Sequence, residues 1–170
     1  MIGSAVRYDG TDRHFDFVTD VLARRYELVP ICPEVELGLG VPRETIQLEG
    51  DPERPRLLAS VTRRDLTDEM TRWAVRNAAR LRLRNLVGYV WKARSPSCGP
   101  REVKLWRDGR PEPIGSGLFF RALREACPEL PMADEKELAG RSSQARFLRA
   151  LEERARILGP CPVSESFLLE

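Results

Sequence analysis

In TDEMTRWAVRNAARLRLRNLVGYVW, residues 67–91, a helical pattern leads directly into a strand pattern, and this unit indicates the fold class. Apolar residues recur in its first part at helical spacing, which predicts an amphipathic helix packed on a core. These residues are Met70, Trp73, Ala74, Ala78 and Leu81. The run LVGYVW that follows is short, aromatic and β-branched, and it therefore predicts a buried strand.

Further helices and strands are predicted on both sides of this unit. The helical patterns lie in TDRHFDFVTDVLARR (11–25), GSGLFFRALREAC (115–127) and SSQARFLRALEERARIL (142–158). The strand patterns lie in YELVPIC (26–32), RLLASVT (56–62) and VKLWRDGRPEPIG (103–115). The last of these contains an Asp108-Gly109 turn. The segment PEVELGLGVPRE, residues 33–44, is interrupted by glycine and proline and predicts a loop.

This alternation of helices and strands predicts the α/β class. We expect a single domain with a mostly parallel central sheet flanked by helices. In open α/β sheets, ligands bind in the crevice beyond the carboxyl ends of the strands, and we expect the functional site there. Residues 1–140 are expected to form the α/β domain, and residues 141–170 a C-terminal helix and tail.

Length and composition narrow the functional classes. The chain has 170 residues, of which 42% are hydrophobic, and this supports a single core. Charged residues make up 32% but nearly cancel to a formal +2, which disfavours nucleic acid as a partner. No stretch approaches the ~20 apolar residues of a membrane span, and the N-terminus lacks the pattern of a secretory signal. We therefore expect a cytoplasmic protein without a membrane partner, and the oligomeric state stays open.

The four cysteines differ in their local settings. A disulfide framework is not expected in a cytoplasmic chain of this size. Cys127 ends a helical pattern and is predicted to be a buried small hydrophobe, while Cys161 has no ligand-like spacing. Cys32 and Cys98 each follow an apolar strand, in ICPE and KARSPSCG. Because each follows the end of a predicted strand, we expect Cys32 and Cys98 to lie near the same crevice at the carboxyl ends of the strands.

Three interpretations of Cys32 and Cys98 remain open on the residues alone. They are structural thiols, or Cys98 is a catalytic nucleophile, or both are ligands of a metal or cluster. A nucleophile needs a nearby base, and the only histidine, His14, lies in a predicted amphipathic helix. The neighbouring prolines and glycines are suited to holding thiolates outward and leaving backbone N–H groups to donate to sulfur, which modestly favours ligation.

Several strings of the chain together resemble the 2-thiouracil desulfurase family. They are VRYDG, PICPEVELGLGVPRE, DLTDEM, KARSPSCG, GSGLF and LPMADEKEL, in this order and at comparable spacing. The resemblance covers most of the chain and is strongest to the first domain of the longer, YbgA-like members of this bacterial family.

The resemblance implies a 4Fe-4S cluster held by three cysteines, with one iron open to the sulfur of the substrate. Its motifs fall on Cys32-Pro33-Glu34 and on the stretch from Ser95 to Gly99, so that Cys32 and Cys98 are the implied ligands. The implied reaction is a non-redox conversion of 2-thiouracil, a small thiolated pyrimidine, to uracil with release of sulfide.

Two further residues of these motifs have an implied catalytic role. Glu34 is the candidate general acid/base, and its alternative role is an ordinary surface carboxylate or a helix cap. Ser95 is the candidate for a hydrogen bond to the substrate or to the attacking water, and its alternative role is that of a turn-forming serine.

The third cysteine of the family pattern is not in the sequence and would precede Met1 by one position. Three explanations are open: the chain starts late, the protein has lost its cluster, or Cys161 or Cys127 substitutes. We expect the late start, because the other motifs of the site are intact. Enzymatic activity as a desulfurase is expected on that condition.

Two rival functional classes are a binding module and a zinc protein. A binding module for nucleic acid or for thiolated bases would use helix arginines such as Arg76, Arg80 and Arg84 for phosphate contacts. A structural zinc site would use the cysteines as ligands. The near-neutral net charge makes a solvated arginine face the preferred interpretation.

Overall fold

The computed structural model describes residues 2–159 and the backbone of residues 166–169. The strands are β1 (Glu27–Pro30), β2 (Ile46–Gly50), β3 (Pro55–Ala59), β4 (Gly88–Trp91), β5 (Val103–Arg107), β6 (Arg110–Gly115), β7 (Met132–Asp134) and β8 (Ser166–Leu169). The helices are a π-helix (Phe17–Leu22), α1 (Pro33–Glu36), α2 (Thr67–Arg82), α3 (Leu118–Ala126), a 3-10 turn (Glu137–Ala139) and α4 (Arg141–Leu158). None of the described helices is long and apolar enough to cross a bilayer.

The first sheet is entirely parallel and has the strand order β1-β8-β4-β7. All four residues of β4 are buried, as the apolar run LVGYVW predicts. Covered parallel strands are buried on both faces, which is why this stretch is continuously apolar rather than alternating. The parallel sheet confirms the α/β class.

The second sheet is mixed and has the order β3-β2-β5-β6. Only the β2–β5 pair is parallel, and the β2–β3 and β5–β6 pairs are antiparallel. Asp108 and Gly109 connect β5 to β6 with positive φ angles of 49° and 74°, as expected for a tight hairpin turn. So short a connection permits only antiparallel pairing of β5 with β6. The strands of the protein form two sheets, one parallel and one mixed, instead of the single mostly parallel sheet that the sequence predicts.

Helices cover both faces of the parallel sheet. Tyr89 and Trp91 of β4 belong to one apolar cluster, together with the buried faces of α2 and α3. Val90, the residue between them, belongs to a second cluster with the π-helix and α4. Successive residues of a strand point to opposite faces, so β4 joins the two halves of the core. The α2 residues predicted from helical spacing are all buried.

Two predicted elements differ in their local form. Of the segment 11–25, only Phe17–Leu22 is helical, and it has π rather than α geometry. This winding buries Phe17 together with Val18 and Leu22, whereas Phe15 is only partly buried. The loop predicted over residues 33–44 begins with the single turn α1, whose first residue is Pro33. Proline favours the first helical position, since its missing N–H has no partner there in any case.

Candidate functional site

A cavity of about 240 Å³ lies where the parallel strands β1 and β4 end. Four segments contribute its walls: the N-terminal segment, the turn after β1, the start of β2 and the turn after β4. Its lining residues include Ser4, Val6, Cys32, Glu34, Arg43, Lys92, Arg94 and Ser95. The cavity thus occupies the crevice that the α/β pattern predicts for a ligand.

Cys32 lies at the edge of this cavity. It is the last residue before α1, has extended backbone angles of −125° and 104°, and is partly exposed. Its carbonyl oxygen accepts a hydrogen bond from the Glu36 amide at 2.9 Å, which closes the first helical turn. Because α1 starts immediately after it, Cys32 and Glu34 are held on one rigid turn beside the cavity.

Cys98 lies behind the cavity wall rather than on it. It is fully buried and belongs to the apolar cluster of α2 and α3. Its amide donates to Ser95 Oγ at 3.2 Å, and the Gly99 amide donates to the Ser95 carbonyl at 2.7 Å. Ser95 lines the cavity, so the SPSC turn places its first residue on the surface of the cavity and Cys98 in the core.

Glu34 is fixed by an arginine that the sequence did not assign. Arg43 donates from Nε and Nη2 to Glu34 Oε2 at 3.0 and 2.6 Å. It also donates to the carbonyl oxygens of Val6 and Gly40, at 3.0 and 2.9 Å. Arg43 therefore joins the N-terminal segment, the α1 turn and the glycine-rich loop at one carboxylate. No local sequence pattern links the two residues, which are separated by that loop.

Ser97 is the second residue of the site that the sequence did not single out. Its hydroxyl lies 2.9 Å from Glu34 Oε1 and 2.9 Å from Ser95 Oγ. This chain of hydrogen bonds connects the CPE turn to the SPSCG turn, which are more than sixty positions apart in the sequence. The structure therefore brings Glu34 and Ser95 together, although they are linked through an intermediate hydroxyl.

The start of α3 holds the SPSCG turn in place. The amides of Gly117 and Phe119 donate to the carbonyl oxygens of Gly99 and Ser97, both at 2.8 Å. A Cβ atom on Gly117 would lie 2.4 Å from the Ser97 carbonyl carbon and oxygen. Glycine is thus required by close backbone approach, and these amides bind the turn rather than an external anion.

Cationic side chains predominate around the cavity. Arg94 and the buried Arg43 both line it, and Lys92 is tied to Glu135, whose Oε1 lies 2.6 Å from Lys92 Nζ. Glu135 also accepts a hydrogen bond from the Ala93 amide at 2.7 Å. The carboxylate of Glu135, just after β7, therefore fixes the start of the turn that carries Ser95.

Cys127 and His14, two other candidates weighed from the sequence, do not line this cavity. Cys127 is buried at the end of α3, and desolvation raises the pKa of its thiol, as expected for an unreactive core cysteine. His14 lies 3.0 Å from Thr19 Oγ1 through its Nε2 and is largely exposed. Cys161 falls outside the described residues. Within the described part of the chain, no group of three histidine, cysteine or acidic residues is arranged to hold a metal ion.

Comparisons with known proteins agree with this architecture. The family model described as 2-thiouracil desulfurase matches residues 1–135. A solved structure described as the [4Fe-4S]-dependent thiouracil desulfidase TudS superposes with a TM-score of 0.64 at 22% identity, covering 89% of this chain and 93% of that chain. At this identity the likeness shows a shared fold. A search of curated proteins gave no significant match.

Proposed function

Because the chain belongs to the 2-thiouracil desulfurase family, we propose that it removes sulfur from a thiolated pyrimidine such as 2-thiouracil. The reaction is a non-redox exchange in which one water replaces the sulfur, so that 2-thiouracil and water give uracil and hydrogen sulfide. The observation that carries the proposal is the Glu34–Ser97–Ser95 chain of hydrogen bonds beside Cys32 at the ends of β1 and β4.

The proposed cofactor is a 4Fe-4S cluster, and the described residues fit it in part. Cys32 and Cys98 would supply two thiolates, the ligand type that iron–sulfur clusters prefer. The family resemblance implies a third cysteine ligand, which the given sequence does not supply at the matching position. Ser4 and Val6 of the N-terminal segment line the cavity beside Cys32. When bound, such a cluster supplies an iron that accepts soft sulfur and polarises the C=S bond.

Glu34 is the proposed general base. Both of its oxygens accept hydrogen bonds, Oε2 from Arg43 and Oε1 from Ser97, so the carboxyl group is fixed in one orientation beside the cavity. Its side chain is 13% exposed, so the charge is little screened by solvent. A carboxylate held in this way is suited to take up a proton from the attacking water.

Ser95 and the surrounding cations are proposed to position the substrate. Ser95 lines the cavity and can hydrogen-bond a ring N–H or a water. Lys92 and Arg94 line the same cavity and would stabilise negative charge that develops on the departing sulfur. The cavity volume of about 240 Å³ lies below the range of roughly 300–1,000 Å³ for drug-sized ligands and suits a single-ring heterocycle.

Anaerobic reconstitution with iron and sulfide tests the proposal. The chain is compared with a version that carries one cysteine directly before Met1, and iron, sulfide and visible absorbance are measured together with sulfide release from 2-thiouracil. We expect the extended version to bind four irons per chain and to release sulfide. An extended version that binds zinc and no iron, or binds the cluster and leaves 2-thiouracil intact, would contradict the proposal.

A further inference from the structure

The hydrogen bonds around Ser97 have only one consistent direction. Glu34 forms an ion pair with Arg43 at 2.6 Å, and a carboxylate accepts hydrogen bonds and donates none. Ser97 has a single hydroxyl proton, and this proton must go to Glu34 Oε1 at 2.9 Å. The contact between Ser95 Oγ and Ser97 Oγ, also 2.9 Å, is then donated by Ser95. Ser95 in turn accepts from the Cys98 amide.

This direction determines what Ser95 offers to the cavity. A serine hydroxyl has one proton and two acceptor sites. The proton of Ser95 is directed to Ser97, and one acceptor site is used by the Cys98 amide. The second acceptor site remains for a donor in the cavity, such as a water O–H or a ring N–H. Ser95 therefore acts on the substrate side as an acceptor.

Ser97 itself has no access to the substrate. It is fully buried and does not line the cavity, and its carbonyl oxygen is fixed by the Phe119 amide at 2.8 Å. A buried hydroxyl without a partner costs about 1–3 kcal/mol in stability. Ser97 avoids this cost through its hydrogen bonds to Glu34 and Ser95, and these two bonds fix the orientation of its hydroxyl. These contacts make Ser97 a rigid connection between two groups that line the cavity, the Ser95 hydroxyl and the Glu34 carboxylate.

We infer that Ser97 is a positioning residue that couples Ser95 to Glu34 as a proton relay, an inference that rests on the proposed function. The attacking water gives a proton to Ser95 Oγ as its oxygen bonds the thiocarbonyl carbon and the C=S π pair moves onto sulfur. Ser95 passes its own proton to Ser97, and Ser97 passes its proton to Glu34 Oε1, so both serines end with one proton each. The C–S bond then breaks as the carbonyl of uracil forms, and the departing sulfur takes up the proton returned from Glu34 and the second proton of the water, and leaves as hydrogen sulfide.

The test compares Ser97→Ala and Ser97→Thr in the cluster-loaded protein that carries the added N-terminal cysteine. Ser97→Ala is expected to lower kcat about 100-fold, the lower end for lost general acid–base catalysis, with KM nearly unchanged. Ser97→Thr keeps the hydroxyl and should recover most of kcat. Ser143→Ala, which removes a hydroxyl bonded to the Gly140 carbonyl outside the cavity, is the control. Iron per chain and the melting temperature show whether each variant is intact.

Solvent isotope effects separate a relay from a structural role. In mixtures of H₂O and D₂O, kcat of the wild type should follow a curved dependence on the deuterium fraction because several protons move together. In Ser97→Ala the curvature should disappear. An intact Ser97→Ala variant whose kcat and curvature equal those of the wild type would overturn the inference.

A cycle of unfolding measurements tests the coupling without turnover. Ser95→Ala, Glu34→Gln and the double variant are unfolded by urea, in the wild-type background and with Ser97→Ala. We expect a non-additive effect that vanishes with Ser97→Ala, because independent sites are additive. Strictly additive effects would overturn the coupling. Absence of sulfide release by the cluster-loaded protein with the added cysteine and an intact Ser97 would instead overturn the proposed function, and the cycle then decides the role of Ser97 alone.

Discussion

Arg43 and Glu34 form a buried ion pair, with Arg43 Nη2 2.6 Å from Glu34 Oε2 and side-chain exposures of only 5% and 13%. The guanidinium also donates to the Val6 and Gly40 carbonyl oxygens, so it organises three chain segments as well as one carboxylate. Such a pair need not stabilise the fold strongly, because the loss of hydration of both charges offsets their attraction. Removing one partner has a more definite consequence, since the other is left buried and unpaired.

Replacing Arg43 by methionine should therefore destabilise the protein strongly. The cost expected for an uncompensated buried charge is about 3–5 kcal/mol, measured as the free energy of unfolding in urea. Arg63→Met is the matched control, because Arg63 pairs with Glu49 at 2.6 Å but is about half exposed. Its loss should be much smaller, as solvent screens exposed pairs. Equal losses for the two variants would contradict the importance of burial.

Gly117→Ala should displace the turn that carries Ser97 and Cys98. The added Cβ would lie 2.4 Å from the backbone of Ser97, which cannot yield as a flexible side chain would. We expect a loss of about 1–3 kcal/mol in unfolding free energy. In Gly140→Ala the nearest atom is the Ser143 hydroxyl at 3.6 Å, so that variant should remain close to the wild type. Comparable stability of the two variants would show that the close approach of Gly117 to the Ser97 backbone does not require glycine at this position.

The pH dependence of stability should carry a contribution from Asp65. Hydrogen bonds from the Thr67 hydroxyl and amide and from Arg56 hold the pKa of Asp65 at about 2, below its usual value of 3.8. A lowered carboxyl pKa stabilises the folded state above pH 4, and this contribution is lost as the pH falls from 4 to 2. Because the side chain is 43% exposed, we expect less than about 1 kcal/mol.

Urea unfolding of the wild type and Asp65→Asn checks this expectation. The wild type should be the more stable protein at pH 6, and the difference should shrink towards zero at pH 2. A difference that is constant over this range would assign the effect to packing instead of charge.

Substitutions of the cysteines should differ in their effect on iron binding. Replacing Cys32 or Cys98 by alanine should lower the iron per chain of the reconstituted protein, while the fold is retained. Cys127→Ala should keep the iron, because Cys127 ends α3 outside the cavity. The buried Cys98 and Cys127 both leave small cavities when truncated, so similar losses of stability are expected for these two. Full iron loading of Cys98→Ala would exclude Cys98 as a ligand.

Local patterns made part of the fold predictable. The spacing of Met70, Trp73 and Leu81 identified α2, and the Asp108-Gly109 turn identified the β5–β6 hairpin, because both signals depend on neighbouring residues. Strands β2, β7 and β8 were not predicted. Strand β2 begins after a loop rich in glycine and proline and is defined by its pairing with β3 and β5, which no local pattern encodes.

The site was predictable to a similar extent. The C-terminal ends of β1 and β4 were expected to meet, and the cavity with Cys32, Glu34 and Ser95 lies there. Arg43 and Ser97 were missed as partners of Glu34. Ser97 is distant from Glu34 in sequence, and Arg43 is separated from it by a loop rich in glycine and proline, for which no regular structure was predicted. The use of the Gly117 amide to hold the SPSCG turn was not predictable either, because the two segments are distant in sequence.

Turnover of 2-thiouracil in H₂¹⁸O tests the central claim most directly. The reaction uses the anaerobically reconstituted protein with the added N-terminal cysteine and no reductant, and mass spectrometry follows the product. We expect uracil with one ¹⁸O at position 2 and one sulfide for every uracil, and loss of both products in Glu34→Gln. Unlabelled uracil, or turnover that requires an added reductant or oxidant, would contradict the claim.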